Sequence, residues 1–536
     1  MDSAFNLLDE KWISVMTMRG EADRVSLSEA LLNAHQIRDL AGEMPTLDFV
    51  ILRQMLALLY SVFSKVNAQG DEEEIEDQNQ ALDRWADLWE GGAFPERQLN
   101  DYFEKWHDRF WLFDEERPFG QVNEAENGTK YTAAKLNGEM SESSNKLRLF
   151  PSRTGSGRQE MSYAEAANWL LYVNAFDDTS AKPKGKNLPS VGAGWLGKIG
   201  LIRAEGGNLF ETLMLNLTLL RDGNELWGEG VPAWELDKPR AQERTEISVP
   251  ENPASLYTLQ SRRLLLSRAN GVVNGFSLLG GDFFEREGAF AEQMTVWRRE
   301  EGKKGAPDVF KPRRHDPSRQ MWRDLASIVS QDAQSKHGRI PGVVRWVNEI
   351  RREMGSGCTA RFRIASVQYG DKDFFVTDVF EDSLAFHAEL LDEKAECKTV
   401  ALREIRRCDK IAYYVGELAV ALELSAGGDT ETINGSRDRA RSMIYYRMDE
   451  PFRRWLSQLS DDIDALTALR EAWKDEVVKL ALDCGREMVE AMGSKIFSVR
   501  YIAEGQNSDK RKRYTAPEAF DIFQMRLNRV KNETMD

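Results

Sequence analysis

Side chains that enzymes use for covalent or acid–base chemistry are sparse in this sequence, and none stands in an established catalytic pattern. The chain has five histidines and four cysteines, and it contains no G-x-x-x-x-G-K-[ST] phosphate loop, no H-E-x-x-H and no G-x-S-x-G. No two cysteines are spaced as C-x-x-C, so neither a zinc site nor a disulfide framework is predicted. Cys408 and Cys484 fall on apolar helical stripes, which favours buried structural thiols. We therefore expect a protein that is not an enzyme and needs no metal or cofactor.

His315 is the histidine whose surroundings suggest acid–base chemistry, because Asp316 follows it directly. Three arginines within residues 313–319 would suit a phosphate or an acidic partner. The pair Asp316-Pro317 also predicts the start of a helix, with Asp316 as its N-cap, and this structural role needs no chemistry. The structural interpretation is favoured, and an enzyme of unknown class that uses His315 is the alternative.

Basic residues are clustered on a chain that is acidic as a whole. The net charge of −16 argues against a free-standing nucleic-acid binder, because affinity for the backbone needs positive surface. Local basic patches on an acidic body instead suit a subunit that contacts nucleic acid at a few points, although any one cluster could be only a solvated face. The clusters are Lys182, Lys184 and Lys186; Lys303-Lys304 with Lys311, Arg313 and Arg314; Arg437, Arg439 and Arg441; and Lys510 to Arg513.

The length and hydropathy of the chain indicate at least two soluble domains. A chain of 536 residues exceeds the roughly 250–300 residues that one hydrophobic core supports. The longest apolar stretch, Phe49 to Phe63, is interrupted by Arg53 and Gln54 and is shorter than the ~20 residues of a membrane span. The N-terminus lacks the basic-then-apolar pattern of a signal peptide. We expect a cytoplasmic protein without membrane contact.

The periodicity of apolar residues predicts an α+β fold, with a large mixed α/β domain over residues 1–381 and a C-terminal four-helix bundle over residues 382–536. Up to residue 381 strands and helices are mixed, whereas beyond it long i, i+3, i+4 stripes prevail. In the first domain the pattern predicts a strand and hairpin in 1–25, helices from the capping box at Ser26, from Pro45 and over 163–176, a buried strand over 209–220, and a β-hairpin with a polar tip over 358–380.

Several segments, taken in order, resemble the CasA family, the large subunit of the type I-E CRISPR Cascade surveillance complex. The stretch from His315 to Arg319 is the most specific of them. The segments are Phe5 to Leu8, Trp12 to Val15, Phe176 to Ser180, the glycine-rich Gly192 to Gly197, Met294 to Arg299, Lys303-Lys304, Pro312 to Arg319 and Trp322-Arg323. Gly192 to Gly197 also matches a G-x-G-x-x-G dinucleotide loop, but no strand clearly precedes it, which favours a glycine-rich connection.

The resemblance implies a non-catalytic subunit that reads double-stranded target DNA. Its expected partners are the other Cascade subunits, the guide RNA, the target duplex and a helicase-nuclease that the subunit helps to recruit. It would recognise a short protospacer-adjacent motif (PAM), promote strand opening and R-loop formation, and leave the remaining sequence to base pairing with the guide. A protein–protein scaffold subunit without direct DNA readout is the alternative.

The resemblance also implies where the DNA and the guide would bind. A glycine-containing loop within Thr179 to Lys186 would approach the minor groove, with a basic finger near Arg286 and a strand-splitting wedge at the tip of the 358–380 hairpin. The acidic tip would be unfavourable beside phosphates unless it enters between the strands, with Lys372 taking a phosphate. The expected DNA-contacting residues are Ser180, Lys182, Lys184, Gly185, Lys186, Arg286, Asp371, Lys372 and Asp373.

Two further contact regions are expected. A loop within Leu147 to Arg153 would contact the 5′ end of the guide, with Phe150 and Arg153 as its expected contact residues. In the bundle, Arg437, Arg439 and Arg441 could guide displaced or target DNA, and they could equally pair with acidic residues of neighbouring helices.

Overall fold

The computed structural model describes residues 4–138, 153–178, 192–237, 247–302, 305–330, 338–354, 358–373, 375–428, 430–503 and 511–534. These residues form two compact units. Unit 1 draws on Met1–Arg319, Ser327–Ser356 and Arg361–Ser383, and unit 2 draws on Gln320–Ala326, Gly357–Ala360 and Leu384–Asp536. Each unit is thus built from three segments, and a single domain boundary between residues 381 and 382 stays a prediction.

The part of the chain up to residue 387 mixes short strands with helices. The helices are α1 (Leu27–Leu32), α2 (Pro45–Phe63), α3 (Gln78–Glu90), α4 (Glu96–Trp106), α5 (Ala133–Leu136), α6 (Tyr163–Phe176), α7 (Leu209–Asn216), α8 (Pro253–Tyr257), α9 (Ala326–Val329) and α10 (Gly342–Ile350). The strands are β1 (Ala4–Asn6), β2 (Ile13–Thr17), β3 (Ala22–Val25), β4 (Ile37–Leu40), β5 (Trp111–Phe113), β6 (Thr129–Thr132), β7 (Leu201–Ala204), β8 (Ile247–Ser248), β9 (Arg262–Ala269), β10 (Val272–Gly280), β11 (Phe283–Phe284), β12 (Trp297–Glu300), β13 (Val309–Pro312), β14 (Thr359–Tyr369) and β15 (Val376–His387).

The strands pair in several small sheets. Two of the three-stranded sheets position the candidate site. Strand β9 begins with Arg262, and β7 follows the glycine-rich segment Gly192 to Gly197. The strand orders are β3-β2-β4, β6-β10-β9 and β15-β14-β7, with the pairs β1-β5, β11-β8 and β12-β13. In the β15-β14-β7 sheet, β7 pairs antiparallel with β14, and Ile364 lies opposite Ile202.

Local signals in the N-terminal half form the predicted elements. Strands β2 and β3 make the expected hairpin, with Ile13 opposite Val25. The Ser26 side chain accepts from the Glu29 backbone N–H while the Glu29 carboxylate accepts from the Ser26 N–H, which is the predicted capping box of α1. Helix α2 begins at Pro45, and α6 and the β14–β15 hairpin fall where the periodicity predicts them.

Helix α2 is the central core helix of unit 1. Its length and composition would let it cross a membrane, but 94% of its most apolar window is buried inside the protein. Arg53, which interrupts the apolar stretch, is itself buried and forms an ion pair of 2.8 Å with the buried Glu292. The guanidinium also lies 4.1 Å from the centre of the Tyr257 ring. The charge in the middle of α2 is therefore compensated within the protein core.

Two predicted elements are wrong. Residues 209–216 form helix α7, not a strand, because Asn208 caps its N-terminus and a wholly buried leucine run carries no periodicity that separates strand from helix. Asp316 does not begin a helix. Its carboxylate accepts from the Ser318 N–H at 2.9 Å and from the Ser318 hydroxyl, which closes a turn instead.

Unit 2 is built around a helical bundle, which confirms the predicted α+β fold class. Its helices are α11 (Glu396–Ala426), α12 (Thr430–Leu456), α13 (Ile463–Met492) and α14 (Ala516–Asn532), and a two-stranded ribbon of β16 (Arg500–Ala503) and β17 (Arg511–Tyr514) precedes α14. Helix α11 packs against the other three. Cys408 and Cys484 are buried in the bundle as predicted, and burial raises the pKa of Cys484 to about 11, so its thiol stays protonated and inert.

Candidate nucleic-acid interface

A buried arginine ties together the two ends of the predicted DNA-reading loop. Asp177 and Asp178 follow α6 directly, and Gly192 begins the chain on the other side of the loop. The guanidinium of Arg262, at the start of β9, donates to the Asp177 carboxylate at 2.6 Å and to the Asp178 carbonyl at 2.9 Å. It also donates to the Gly192 carbonyl at 2.7 Å. Arg262 therefore fixes the separation of the loop ends.

A lysine also faces the two carboxylates at this loop base. The ammonium of Lys135 lies 3.0 Å from the carboxylate of Asp178 and 3.9 Å from that of Asp177, which Arg262 also binds. Burial alone would lower the pKa of Lys135, but the two carboxylates outweigh it and raise that pKa. Because Lys135, Asp177, Asp178 and Arg262 are all buried, loss of one of these charges would leave its partners in the interior with less compensation.

The glycines after the loop permit close packing. A β-carbon on Gly194 would lie 2.3 Å from the Ala175 carbonyl oxygen, and one on Gly197 would lie 2.1 Å from the Tyr369 hydroxyl. The Tyr369 hydroxyl in turn donates to the Phe176 carbonyl. Residues 195–198 form a 3₁₀ turn and lead into β7, so the glycine-rich segment is a packed connection between α6 and β7.

Arg314 links this connection to the tip of the β14–β15 hairpin. Its guanidinium binds both carboxylate oxygens of Asp373, at 2.7 and 3.1 Å. It also donates to the Gly197 carbonyl at 2.6 Å and lies 4.8 Å from the centre of the Tyr369 ring. Three segments that the sequence singled out, the glycine-rich connection, the basic stretch at 313–319 and the hairpin tip, thus meet at one side chain.

The hairpin tip itself is strained and partly exposed. Asp373 and Phe375 have φ values of +60° and +42°, a region that non-glycine residues rarely occupy. Asp371 is exposed, and Phe375 exposes 41% of its surface. Strain of this kind persists only where surrounding contacts hold the backbone, and the bidentate Arg314–Asp373 pair is such a contact.

The other predicted site residues differ in their burial and in the partners of their side chains. His315 is buried, and its Nε2 lies 2.8 Å from the Leu201 carbonyl oxygen, a packing role beside β7. The Arg153 guanidinium is held by Glu165 at 2.8 Å and Glu43 at 2.9 Å. Arg286 is exposed, and its guanidinium makes no hydrogen bond or ion pair with any residue that the structure describes.

Several predicted site residues lie outside the described residues. They are Phe150, Ser180, Lys182, Lys184, Gly185 and Lys186, together with the side chain of Lys372. For these positions the expectation from the sequence stands as a prediction.

The three bundle arginines do not form one patch. Arg437 lies 3.7 Å from the Glu417 carboxylate of α11, and Arg441 lies over the Tyr413 ring at 5.4 Å. Both pack where α11 carries Gly416, whose added β-carbon would lie 2.9 Å from Arg441 Nε. Arg439 is exposed and donates to the Ser436 hydroxyl at 2.9 Å. Arg437 therefore pairs with an acidic residue of a neighbouring helix, which was the second possibility for this cluster. Arg439 has the most accessible charge of the three.

Sequence reasoning did not single out Arg262 or Phe375 as site residues. Arg262 reaches Asp177 across 85 positions of the chain, and no local pattern reports such a pairing. Arg314 lies inside a segment that carried the family resemblance, but its partners at Gly197 and Asp373 are equally remote. Phe375 could have been found as an aromatic residue at the end of a polar hairpin tip.

The comparison with known proteins agrees with this architecture. The chain matches the family described as CRISPR-associated protein Cse1 over residues 6–484. It is 24% identical over 532 residues to the CRISPR-associated protein CasA/Cse1 of Thermus thermophilus, covering 94% of this chain and 96% of that protein. Among solved structures, Cse1 from Thermobifida fusca superposes with a TM-score of 0.83 at 27% identity, covering 99% of this chain and 98% of that chain.

A chain of the structure named CRISPR RNA-guided surveillance complex shares the fold, with a TM-score of 0.58 at 16% identity over 92% of this chain and all of that chain. The extent of the family match defines the class, a CRISPR-associated protein. More particularly, this chain belongs to the Cse1 family, also named CasA, which confirms the resemblance carried by the sequence segments.

Proposed function

We propose that this chain is the non-catalytic large subunit of a type I-E CRISPR RNA-guided surveillance complex and recognises the PAM of double-stranded target DNA. The observation that supports this proposal is the convergence at Arg314 of the glycine-rich connection and the hairpin tip. The family resemblance assigns DNA contact to the hairpin tip and to the loop within Thr179 to Lys186, which the glycine-rich connection follows in the chain. A DNA reader needs such elements held in fixed register on a rigid body.

Recognition would begin at the loop between Asp178 and Gly192. Its lysines, Lys182, Lys184 and Lys186, would neutralise backbone phosphates while glycine lets the backbone approach the minor groove. The minor groove distinguishes base pairs only coarsely, so tolerance of related PAM sequences follows. The Arg262 clamp supports this role, because it holds both loop ends on the buried start of β9.

Strand opening would use the tip of the β14–β15 hairpin. In the chain without DNA, Arg314 compensates Asp373, so an approaching duplex meets less negative charge at the tip than the sequence suggests. The exposed Phe375 ring is suited to stack on a base at the point where the strands separate. Opening at the PAM would then allow R-loop formation by pairing with the guide.

The remaining proposed roles depend on assembly of this chain into the complex. We propose that the other subunits of the complex and its guide RNA are partners of this chain, as its likeness to a chain of a CRISPR RNA-guided surveillance complex supports. Recruitment of the helicase-nuclease, which would perform the chemistry, and a cytoplasmic location are part of the same proposal. His315 supports a non-catalytic chain, because its ring is buried and engaged by a backbone carbonyl.

A gel-shift titration tests the proposal. Guide-loaded complexes with and without this subunit are titrated against target duplexes that carry or lack a PAM. Tight binding that needs both the subunit and the PAM is the expected result. Equal binding without the subunit would contradict DNA readout and favour a protein–protein scaffold.

A further inference from the structure

The ion pair between Arg314 and Asp373 is accessible from solvent. The Arg314 side chain is 29% exposed and its partner Asp373 is 40% exposed, so solvent and solutes reach both groups. Because the pair is accessible, a competing anion can replace the carboxylate on the guanidinium. A guanidinium in bidentate contact with a carboxylate presents the same pair of parallel donors that binds a phosphate.

The pair also fixes strained backbone. Asp373 is held at φ +60°, and Phe375 nearby is held at φ +42°. Their turn is closed by the Gly370 N–H donating to the Phe375 carbonyl at 3.0 Å and the Asp373 N–H donating to the Gly370 carbonyl at 3.1 Å. Loss of the Arg314–Asp373 contact would let the tip relax, since the side-chain anchor of Asp373 would be gone.

We propose that Arg314 is a phosphate-binding residue of the DNA site that is held by Asp373 until DNA arrives. When the duplex reaches the site, the guanidinium exchanges the Asp373 carboxylate for a backbone phosphate and keeps its contacts with the Gly197 carbonyl and the Tyr369 ring. The exchange frees the hairpin tip. Recognition of the duplex is thereby coupled to movement of the element that opens it. This inference rests on the proposed function, and it assigns to Arg314 the coupling of PAM recognition to strand opening.

Competition between Asp373 and phosphate predicts that removing the Asp373 charge increases the affinity for DNA. If the ion pair only stabilised a binding-competent tip, Asp373→Asn would weaken DNA binding or leave it unchanged. If Asp373 competes with phosphate, Asp373→Asn tightens binding, because the guanidinium no longer has to leave a carboxylate. The gain must vanish when Arg314 is absent, since there is then nothing to release.

Asp371 provides the matched control. It lies on the same tip, is exposed, and has no hydrogen bond or ion pair with a residue that the structure describes. Asp371→Asn removes the same charge from the same three-residue turn. The difference between the two variants therefore isolates the contact with Arg314 from general electrostatics.

The experiment is a double-mutant cycle on the assembled, guide-loaded complex with a PAM-bearing duplex at several salt concentrations. We expect Asp373→Asn to tighten binding about fivefold and Asp371→Asn by at most about twofold. Arg314→Gln should weaken binding about tenfold and lower the slope of log K against log salt by about 0.9, the value of one phosphate contact. In the Arg314→Gln background, Asp373→Asn should gain no more than Asp371→Asn.

Hydrogen exchange of the isolated subunit supplies the second measurement. The amides of Gly370 and Asp373 should exchange faster in Asp373→Asn and Arg314→Gln, and remain unchanged in Asp371→Asn. Weaker DNA binding by Asp373→Asn, additive effects in the cycle, or unchanged exchange in the Asp373→Asn variant would overturn the inference. If guide-loaded complexes with and without the wild-type subunit bound DNA equally well, the proposed function itself would be overturned. The two failures are therefore distinguishable.

Discussion

Asp48 shows how a single carboxyl group sets a pH dependence of stability. It is buried in the first turn of α2, where its carboxylate accepts from the Gly42 backbone N–H at 2.7 Å. Burial raises its pKa from the ordinary 3.8 to about 6, although nearby Arg203 opposes the shift. A raised carboxyl pKa means that the folded chain binds the proton more tightly. The contribution of Asp48 to stability therefore rises as the pH falls through about 6 towards 4.

Asp48→Asn tests this reasoning. The amide oxygen can keep the bond from Gly42 but carries no charge, so the variant should be more stable than the wild type by about 1–2 kcal/mol at pH 7.5. The advantage should shrink as the pH approaches 4.5, where Asp48 is protonated in the wild type. Calorimetric melting of both chains at the two pH values measures the difference, with the exposed Asp371→Asn as control. An advantage that is constant with pH would rule out a titrating Asp48.

Substitution of Arg262 allows an effect on the free energy of unfolding to be separated from an effect on PAM-dependent DNA affinity. Arg262→Met removes a buried ion-pair partner of Asp177, so unfolding should become easier by about 3–5 kcal/mol. The neighbouring Arg263 offers a matched control, because it forms an equally buried pair with Asp282 at 2.9 Å. Arg263→Met should be destabilised similarly.

The two variants are then compared in assembled complexes at a temperature where both chains are folded. Arg262→Met should lose PAM-dependent affinity and Arg263→Met should keep it, because Arg262 donates to the carbonyls of Asp178 and Gly192 on the two sides of the loop. Equal affinity of the two variants would mean that the clamp serves the fold alone.

At the scale of elements, the hairpin tip allows a substitution that removes function without harming the fold. Phe375 occupies a backbone conformation that glycine adopts freely, so Phe375→Gly should keep or slightly raise the melting temperature. Loss of the ring should slow opening of the duplex roughly tenfold, as expected from the ~1–3 kcal/mol of one base–aromatic stack. Fluorescence of 2-aminopurine placed beside the PAM measures the opening rate. Phe375→Trp should retain it, and equal rates for all three chains would exclude stacking by this residue.

The elements that the sequence predicted correctly are those with local causes. The Ser26–Glu29 capping box, the proline that begins α2 and the alternation of β14 and β15 each act within a few residues. Helix α7 was missed because burial on all sides erases the amphipathic period. Asp316 was misjudged because the same carboxylate-to-amide bond can cap a helix or close a turn.

The candidate site was predictable only as separate pieces. The sequence identified the glycine-rich connection, the basic stretch and the hairpin tip, each from composition. It could not identify Arg314 as the residue that joins them, because Gly197 and Asp373 lie 117 and 59 positions away. It also could not show that Arg153 is already engaged by two carboxylates, one of them 110 positions distant. Pairings at such separations are set by the tertiary fold.

At the scale of the whole molecule, the charge distribution predicts that DNA binding belongs to the assembly. The chain carries a net charge of −16, and several cations of the candidate site are already engaged internally, Arg262 by Asp177, Arg314 by Asp373 and Arg153 by Glu43 and Glu165. Affinity for a duplex rises with the number of phosphates that free cations neutralise. The cations of the candidate site that the structure describes are therefore few against the negative field of the isolated chain.

We therefore expect the isolated chain to bind a PAM-bearing duplex only weakly, with a shallow salt dependence of one to a few phosphate contacts, roughly −0.9 to −3 in the slope of log K against log salt. The guide-loaded complex that contains it should bind more tightly, with a much steeper slope, because other subunits and the guide-paired strand add contacts. Fluorescence anisotropy across a salt series measures both. The complex without this subunit is the control and should lose the preference for the PAM. Tight, steeply salt-dependent binding by the isolated chain would show that cations outside the internally paired set create a sufficient positive surface, and would make this chain a DNA-binding protein in its own right.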